Sequence, residues 1–408
     1  MSLQKRLFLQ HVAQTSPFPF GIEVSHAEGV YIYDVSGKQY IDFDSGISVS
    51  SLGHSHPAII SAVTEQANKY MHTMVYGEHI QSPQVKFAAL LSKILNNGLD
   101  TTYFVNSGSE AVEGALKLAR RYTGRFEVLS CAGAYHGSTI GAESLRSDTD
   151  FTMAYVPAVP GVGHIRFNHP EDLDRITGRT ACVILEPVQA EGGVILPEND
   201  YLKKVRQRCE ETGTLLILDE IQTGFGRTGY LFAHQKYDII PDILLLAKAM
   251  GGGMPIGAFV SRKDIMKVFT ENPVLGHITT FGGHPVCTAA ALAMLEVITT
   301  GDTVCKLSRK EQYFHQLLVH PLIKEVRSSG LLMAVELTEP QYLMPVISGA
   351  LEAGVMVDYF LFNDRSFRIA PPLVITEEEI LSGVNKLISV LDNVYNSYNF
   401  PDSKSECR

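Results

Sequence analysis

The chain has 408 residues and a formal net charge of −10 at pH 7, with 45% hydrophobic and 19% charged residues. This composition is typical of a globular protein with a large core and excludes a charge-rich disordered chain. The negative balance would repel a phosphate backbone, and no run of lysine and arginine offsets it, so we expect no nucleic-acid partner. Because single cores stop growing beyond roughly 250–300 residues, the length predicts a large domain with a smaller one.

The N-terminal stretch MSLQKRLFLQHVAQ has an unbroken apolar run of only three residues, Leu7 to Leu9. Such a run is too short for a signal-peptide core or a membrane span, so we expect no membrane segment. The six cysteines lie at positions 131, 182, 209, 287, 305 and 407, without the spacing of a metal site or a redox motif. This pattern predicts no metal and fits a reducing cytoplasm.

Short apolar runs alternate with amphipathic stretches between about residue 100 and residue 262. The apolar runs are TTYFV, FEVLS, ACVILEP, TLLILDE, PDILLLAK and GAFVS, and the amphipathic stretches include AVEGALKLARRY and YLKKVRQRCEE. Such runs indicate buried parallel strands with crossover helices. We therefore predict an α/β fold with a mostly parallel central sheet that is covered by helices.

The pattern changes after residue 302 to a helical stretch, LLMAVEL, a second helical stretch and FRIAPPLVIT, which predicts a smaller α+β domain. We predict that residues 1–48 join this small domain and that residues 49–302 form the large domain. Residues 303–398 would form the small domain itself. The polar residues 399–408 would be a loose tail.

The segment after Ser109 is predicted to be a helix. Its apolar residues recur at helical spacing: Val112, Ala115, Leu116 and Ala119. Glu113 and Lys117 are expected to form an i, i+4 ion pair on it. The helix would begin at Ser107-Gly108-Ser109, where free N–H groups and the positive end of the helix dipole can bind a phosphate. A serine N-cap with a turn glycine is the alternative.

Two predicted strand ends carry reactive side chains, and ligands of open α/β sheets bind beyond these ends. Asp219 ends TLLILDE, where a carboxylate can cap the next helix, bind a metal or hold a protonated ring nitrogen. Lys248 follows PDILLLA, where burial would turn its amine into a neutral nucleophile, unless the side chain reaches the surface. The glycines at 251–253 let the backbone approach a ligand closely, or form only a loop.

Aromatic and hydroxyl groups occur in Tyr135-His136-Gly137 and in HITTFGG at 277–283. An aromatic side chain at a strand end can stack on a planar ring, although it can equally belong to the core. A phosphate loop, an aromatic platform, an acid and a lysine are together the groups that hold pyridoxal phosphate (PLP). We therefore predict PLP as the cofactor.

Nearly the whole chain carries motifs of one family. They are GVYIYDVSGKQYIDFDSG, LGHSHP, NSGSEAVEGALKLAR, YHGST, LEPVQAEGG, LDEIQTGFGRTG, LLLAKAMGGGMPIGA, ITTFGGHP and FRIAPPL. The chain resembles the class III (subgroup II) aminotransferases of fold type I, which include ornithine, acetylornithine and 4-aminobutyrate aminotransferases. The motif LDEIQTGFGRTG with a downstream lysine is highly specific for them.

The resemblance implies the residues that bind the cofactor. Ser107, Gly108 and Ser109 would bind its phosphate, and Tyr135 would stack on its ring beside His136.

The resemblance also implies the catalytic residues. Lys248 would form the Schiff base, Asp219 would pair with the ring nitrogen, and Gln222 would lie beside the ring hydroxyl. Thr280 would reach the phosphate of the neighbouring subunit, which makes the active unit a homodimer with shared sites.

The substrate side matches this family only in part. Arg368 matches the arginine that binds the α-carboxylate of glutamate or 2-oxoglutarate, and Glu191 matches the acid that masks it. Ser138 stands where many ornithine and 4-aminobutyrate enzymes have arginine, and Ile47 stands where ornithine aminotransferases have tyrosine. The donor amine therefore stays open.

The expected reaction is transamination between a primary amine, possibly an ω-amino group, and a 2-oxo acid such as 2-oxoglutarate. The amine would displace Lys248, which would then move a proton between substrate and cofactor. A racemase, a decarboxylase or an aminomutase on the same scaffold is the alternative. A nucleotide-binding regulatory protein would have no need of Lys248.

Overall fold

The computed structural model of the chain describes residues 1–74 and 77–399. Its helices are α1 (Leu3–His11), α2 (Ser45–Ser48), α3 (Pro57–Lys69), α4 (Ser82–Leu95), α5 (Gly108–Thr123), α6 (Ile140–Glu143), α7 (Thr149–Thr152), α8 (Tyr201–Thr212), α9 (Ala233–Lys236), α10 (Lys263–Met266), α11 (Pro285–Thr300), α12 (Leu307–Leu317), α13 (Leu343–Ala353) and α14 (Glu377–Asn399). Within these ranges, no helix is both long and apolar enough to cross a membrane.

The strands form three sheets. They are β1 (Val24–Glu28), β2 (Tyr31–Asp34), β3 (Gln39–Asp42), β4 (Thr101–Val105), β5 (Glu127–Cys131), β6 (Val162–Ile165), β7 (Thr180–Leu185), β8 (Leu215–Asp219), β9 (Ile243–Leu246), β10 (Gly257–Ser261), β11 (Ile323–Ser329), β12 (Leu332–Leu337), β13 (Val355–Met356), β14 (Asp358–Phe360) and β15 (Asn363–Ile369). The central sheet has the order β4-β10-β9-β8-β7-β5-β6.

The central sheet is mostly parallel, which confirms the predicted α/β fold. Strands β6, β5, β7, β8 and β9 pair in parallel, and β10 runs antiparallel to both β9 and β4. Every residue of β7, β8, β9 and β10 is buried. Alternate residues face opposite sides: Ile217 packs with the cluster that contains α5, and Leu216 with the one that contains α8 and α11. Helices therefore cover both faces, as an apolar parallel sheet requires.

Parallel strands end at one edge of a sheet, and this places the site. Strands β7, β8 and β9 are neighbours, and Glu186, Asp219 and Lys248 lie at or directly after their carboxyl ends. Helix α5 begins at the same region, because the antiparallel strand β10 brings Gly257 opposite Val105 at the end of β4. Residues that are far apart in the chain therefore meet at this edge.

Helix α5 begins as predicted, but its predicted ion pair is wrong. Glu113 instead accepts hydrogen bonds from Thr139 Oγ1 at 2.6 Å and from the Gly141 N–H at 2.9 Å. Lys117 Nζ lies 3.0 Å from His277 Nδ1. An exposed i, i+4 pair contributes only about 0.2–0.5 kcal/mol, so partners from other elements displaced it.

The C-terminal part contains a second sheet, ordered β11-β12-β15-β14, with α12, α13 and α14 beside it. The N-terminal strands form a third sheet, ordered β1-β2-β3-β13. Its pair β3 and β13 is parallel, with Ile41 opposite Val355. The first and last parts of the chain therefore share one sheet. Of the predicted tail, Asn399 is the last residue of α14, and residues 400–408 lie outside the described part.

Gly257 provides a test of how closely the central sheet packs on the first turn of α5. A Cβ atom at this position would lie 2.4 Å from the Ser107 carbonyl oxygen, and a backbone atom cannot move aside cheaply. We expect Gly257→Ala to lower the free energy of unfolding by about 1–3 kcal/mol in urea denaturation. The control is Gly178→Ala, because a Cβ there meets nothing within 4 Å. Equal stability of the two variants would contradict this packing.

Candidate functional site

A cavity of about 410 Å³ opens at the carboxyl edge of the central sheet. Its walls come from the strand ends, from the start of α5 and from the loop after Lys248. The lining residues are Val49, Asn106, Ser107, Gly108, Ser109, Tyr135, His136, Gly137, Glu186, Asp219, Ile221, Gln222, Ala247, Lys248, Gly253, Met254, Pro255 and Ile256. The volume suits a small organic ligand.

One end of the cavity is the N-terminus of α5. Ser107 is the N-cap and accepts a hydrogen bond from the Glu110 N–H at 3.2 Å, so the predicted capping role is present. The other N–H groups of the first turn have no partner within the helix, and the helix dipole makes this end positive. Gly108 allows close packing here, since a Cβ would lie 2.9 Å from Ile221 Cδ1. A helix N-terminus of this kind can bind an anion such as a phosphate.

Asp219 lies on the floor of the cavity and is only 4% exposed. Its Oδ2 lies 2.7 Å from His136 Nδ1, and its Oδ1 accepts a hydrogen bond from the Ile221 N–H at 3.0 Å. Two donors therefore stabilise the charged carboxylate. His136 is buried, and its Nε2 has no hydrogen-bond partner in the described part of the chain.

Lys248 begins a 3-10 turn two residues after the end of β9, with a backbone φ of +47°. The left-handed region is unfavourable for a residue with a side chain, so the surrounding fold must hold Lys248 there. Burial lowers the pKa of its amine from the ordinary 10.5, although the negative charge of Glu191 partly opposes this shift. The neutral, nucleophilic amine is therefore more accessible than in an exposed lysine.

Behind Gln222 lies a buried arginine–carboxylate pair. Gln222 Nε2 donates to Glu191 Oε1 at 3.4 Å, and Arg368 Nη2 donates to the same oxygen at 2.6 Å. Arg368 is 1% exposed, its guanidinium lies 4.7 Å from the Phe360 ring centroid, and its Nε and Nη1 have no partner among the described residues. Glu191 Oε2 also accepts from the Leu361 N–H at 3.2 Å. Glu191 therefore occupies only one of the guanidinium nitrogens.

Three further predicted residues lie at the surface around the site and do not line the cavity. Ile47 is 38% exposed on α2, where positive φ values at four successive residues form a left-handed turn. Ser138 is exposed, and its Oγ lies 3.0 Å from the Tyr135 hydroxyl. Thr280 is exposed, and its carbonyl accepts a hydrogen bond from His72 Nε2 at 2.9 Å. The predicted residues thus divide into a set around the cavity and a set outside it.

Glu186 also lines the cavity, and no role was predicted for it from the sequence. It directly follows the buried strand β7, as an acidic residue after ACVIL. The same signal singled out Asp219 after LLIL. Met254, Pro255 and Ile256 were missed as well, because nothing in their residue types points to a ligand.

The residues around the cavity fit a phosphorylated pyridine. The positive helix end suits the phosphate, Asp219 suits a protonated ring nitrogen, and the lowered pKa of Lys248 suits a bond to an aldehyde. Buried polar atoms that lack partners among the described residues also face this region, including His136 Nε2 and Gln222 Oε1. This donor and acceptor set is the one that PLP needs.

Comparison with known proteins identifies the family of the chain. The family profile "Aminotransferase class-III" matches residues 12–391. The acetylornithine aminotransferase of Methanocaldococcus jannaschii is 38% identical over 380 residues, which cover 90% of this chain and 92% of that enzyme. That of Methanosarcina mazei is 39% identical over 369 residues, covering 89% and 90%.

Solved structures agree with the sequence relatives. The ornithine aminotransferase from Toxoplasma gondii ME49 superposes with a TM-score of 0.88 at 32% identity, covering 96% of this chain and 95% of that one. A second structure of that enzyme has PLP at partial occupancy in its active site. A transaminase from the marine bacterium Virgibacillus superposes with a TM-score of 0.91 at 26% identity, covering 97% and 100%. The chain therefore belongs to the class-III aminotransferases and is a PLP-dependent transaminase of fold type I.

Proposed function

We propose that this enzyme moves the amino group of a primary amine, possibly an ω-amino group, to 2-oxoglutarate, with Lys248 and Asp219 as its catalytic residues. The observation that carries this proposal is that a half-buried lysine and a hydrogen-bonded aspartate line the same cavity. The lysine amine has a lowered pKa, and His136 holds the aspartate.

The lining of the cavity supports the cofactor-binding roles that the family resemblance implies. Ser107, Gly108 and Ser109 would hold the phosphate at the start of α5, and the half-buried Tyr135 would contact the ring. Gln222 would bind the ring hydroxyl. Bound PLP supplies an aldehyde that joins to amines and a ring that withdraws electrons from the attached carbon.

Asp219 keeps a proton on the ring nitrogen by electrostatic attraction. Two hydrogen bonds, from His136 and from the Ile221 N–H, favour its charged form, and burial of the site strengthens the attraction. Lys248 in its neutral form would accept the proton that leaves the substrate carbon and would donate it to the cofactor carbon. The lowered pKa of this amine supports the role.

Lys248 gives a prediction for the pH dependence of stability. Because its pKa is lowered in the folded state, the unfolded chain binds more protons between that lowered pKa and 10.5, so stability rises with pH in this window. Lys248→Met cannot titrate. We expect the variant to be more stable than the cofactor-free wild type near pH ~7, with a difference that shrinks towards pH ~10 in urea denaturation. A difference that stays constant with pH would contradict the buried neutral amine.

Lys248→Ala tests the proposed reaction directly. The variant should lose the visible absorbance of lysine-linked cofactor and nearly all turnover, because both the covalent anchor and the proton carrier are gone. Lys203→Ala, at an exposed position of α8, is the control and should behave as wild type. Wild-type turnover in Lys248→Ala would overturn the assignment. A requirement for an added 2-oxo acid separates transamination from racemisation and decarboxylation.

The proposal for the substrates rests on Arg368, Glu191 and Ser138. Arg368 has two unpartnered buried nitrogens among the described residues, which can bind the α-carboxylate of 2-oxoglutarate once Glu191 moves aside. Glu191 masks the arginine when an amine without that carboxylate enters. Names such as acetylornithine and ornithine aminotransferase among the relatives support an ω-amino donor. Ser138 and Ile47 offer no positive charge to a donor carboxylate.

Two variants test this division of the substrates. Arg368→Ala should raise the KM for 2-oxoglutarate by roughly 10- to 150-fold, since a charge-assisted hydrogen bond contributes about 1.5–3 kcal/mol. The KM for the amine should change far less. Ser138→Arg should favour ornithine or 4-aminobutyrate over other amines. Arg365→Ala, on the same strand but beside Asp364, is the control. Equal KM losses for both substrates would exclude the role of Arg368.

We also propose a homodimer in which Thr280 reaches the phosphate of the neighbouring subunit. This threonine is exposed and does not line the cavity of its own chain, so its hydroxyl is available to another chain.

Mixing two defective variants tests the shared site. Thr280→Ala should weaken cofactor binding, and Lys248→Ala should be inactive. In a mixed dimer, the intact Lys248 of one subunit meets the intact Thr280 of the other. Refolding the two together should therefore restore activity at limiting PLP. If Thr280 serves its own chain, no activity returns, and a fully active monomer would equally exclude the shared site.

Two further proposals concern organisation. We propose that residues 1–48 and 303–398 together form the small domain and that residues 49–302 form the large domain. The pairing of β3 with β13 in one sheet supports this division. A cytoplasmic location is supported by the free thiols at the five described cysteines.

A further inference from the structure

Glu186 lies beside Asp219 on the floor of the cavity. Strands β7 and β8 pair in parallel with Leu185 opposite Leu218, so the next residues, Glu186 and Asp219, are also neighbours. Adjacent strands lie about 4.8 Å apart, which places two carboxyl groups side by side. Both residues line the cavity, and both are buried, with 6% of Glu186 and 4% of Asp219 exposed.

The two carboxyl groups differ in the number of hydrogen-bond donors that can stabilise a negative charge. Asp219 has a donor on each oxygen, His136 Nδ1 at 2.7 Å and the Ile221 N–H at 3.0 Å. Glu186 has only the Ala190 N–H, at 3.3 Å from Oε1, and its Oε2 is buried without a partner among the described residues. Adjacent buried carboxyl groups cannot both ionise cheaply, and the less stabilised one keeps the proton.

The surroundings of Glu186 also favour its protonated form. Burial raises the pKa of Glu186 well above its ordinary value, and the charges of Asp219 and Glu191 raise it further. The Ala190 N–H and Lys248 oppose this shift and do not reverse it. If Glu186 is neutral, one negative charge fewer acts on Lys248. This favours the neutral amine of Lys248, which the proposed reaction needs.

We propose that Glu186 is a positioning residue that remains a neutral carboxylic acid and donates its O–H to Asp219, so that the negative charge of the pair stays on Asp219. This inference rests on the proposed function, in which Asp219 faces the ring nitrogen. The O–H donor spreads part of the aspartate charge and so limits how strongly the ring proton is held. Glu186 itself forms no bond with substrate.

The protonation of Glu186 can be measured without turnover. We expect the infrared spectrum of the cofactor-free protein to contain the C=O stretch of a protonated carboxyl group at neutral pH, and Glu186→Gln to lack it. The control is Glu198→Gln, at an exposed position, which should keep the band. An identical spectrum in wild type and Glu186→Gln would overturn the proposal. Since no cofactor is present, this result does not depend on the proposed reaction.

A pH titration of the visible absorbance of lysine-linked cofactor tests the action on Asp219. Glu186→Gln keeps a donor and no charge, so its midpoint should stay within about 0.3 unit of wild type. Glu186→Leu loses the donor, which concentrates negative charge on Asp219 and should raise the midpoint by about one unit. The kcat of the Gln variant should exceed that of the Leu variant.

Two other outcomes of this titration would contradict the proposal. If both variants lower the midpoint, Glu186 is ionised in the wild type and the proposal is wrong. If neither variant shifts it, Glu186 does not act through Asp219 and the proposal is equally wrong. Failure of the proposed function would instead appear as full turnover in Lys248→Ala.

Discussion

The hydrogen bond between His136 and Asp219 is the contact on which the site depends. It joins residues 83 positions apart, one in the loop after β5 and the other at the end of β8. Both side chains are buried, and a buried carboxylate without a donor would be costly, so the bond is needed wherever Asp219 is charged. The residue before His136, Tyr135, also lines the cavity.

The same edge of the sheet holds an unusual amount of buried charge. Besides burial, the charges of Asp219 and Glu191 raise the pKa of Glu186, and the positive charge of Arg368 adds to the burial that lowers the pKa of Lys248. In a buried cluster of ionisable groups, a charged group is stabilised by the hydrogen bonds that it receives. Asp219 and Glu191 each have at least two donors, whereas Glu186 has one long contact. The hydrogen-bond donors therefore favour a negative charge on Asp219 and Glu191 over one on Glu186.

Some of the backbone strain of the molecule lies at this site. Lys248 has a positive φ, and the left-handed turn of α2 lies just before Val49, which lines the cavity. Each such residue with a side chain costs of order 1–3 kcal/mol, so the packed sheet and the flanking helices must hold it in place. A rigid core of buried strands provides that support.

Much of this arrangement could be predicted from local patterns. Buried apolar runs identify the strands, and the ends of those runs identify Asp219 and Lys248, because an apolar strand and the polar residue after it are adjacent in sequence. The periodicity after Ser109 likewise identifies α5. The resemblance of the motifs identified the family and its cofactor, which the relatives confirm. The roles of the catalytic, cofactor-binding and substrate residues, the domain boundaries and the dimer remain predictions.

What the sequence alone determined was the set of buried strands, the helix after Ser109 and the acid and lysine that follow their strands, since each of these depends on a short stretch of chain. Which of these groups contact one another depends on the packing of the folded chain. The contacts of Glu113 with Thr139 and the adjacency of Glu186 to Asp219 depend on the register and packing of distant segments. Those are set by how the whole core fills space, which no local pattern encodes.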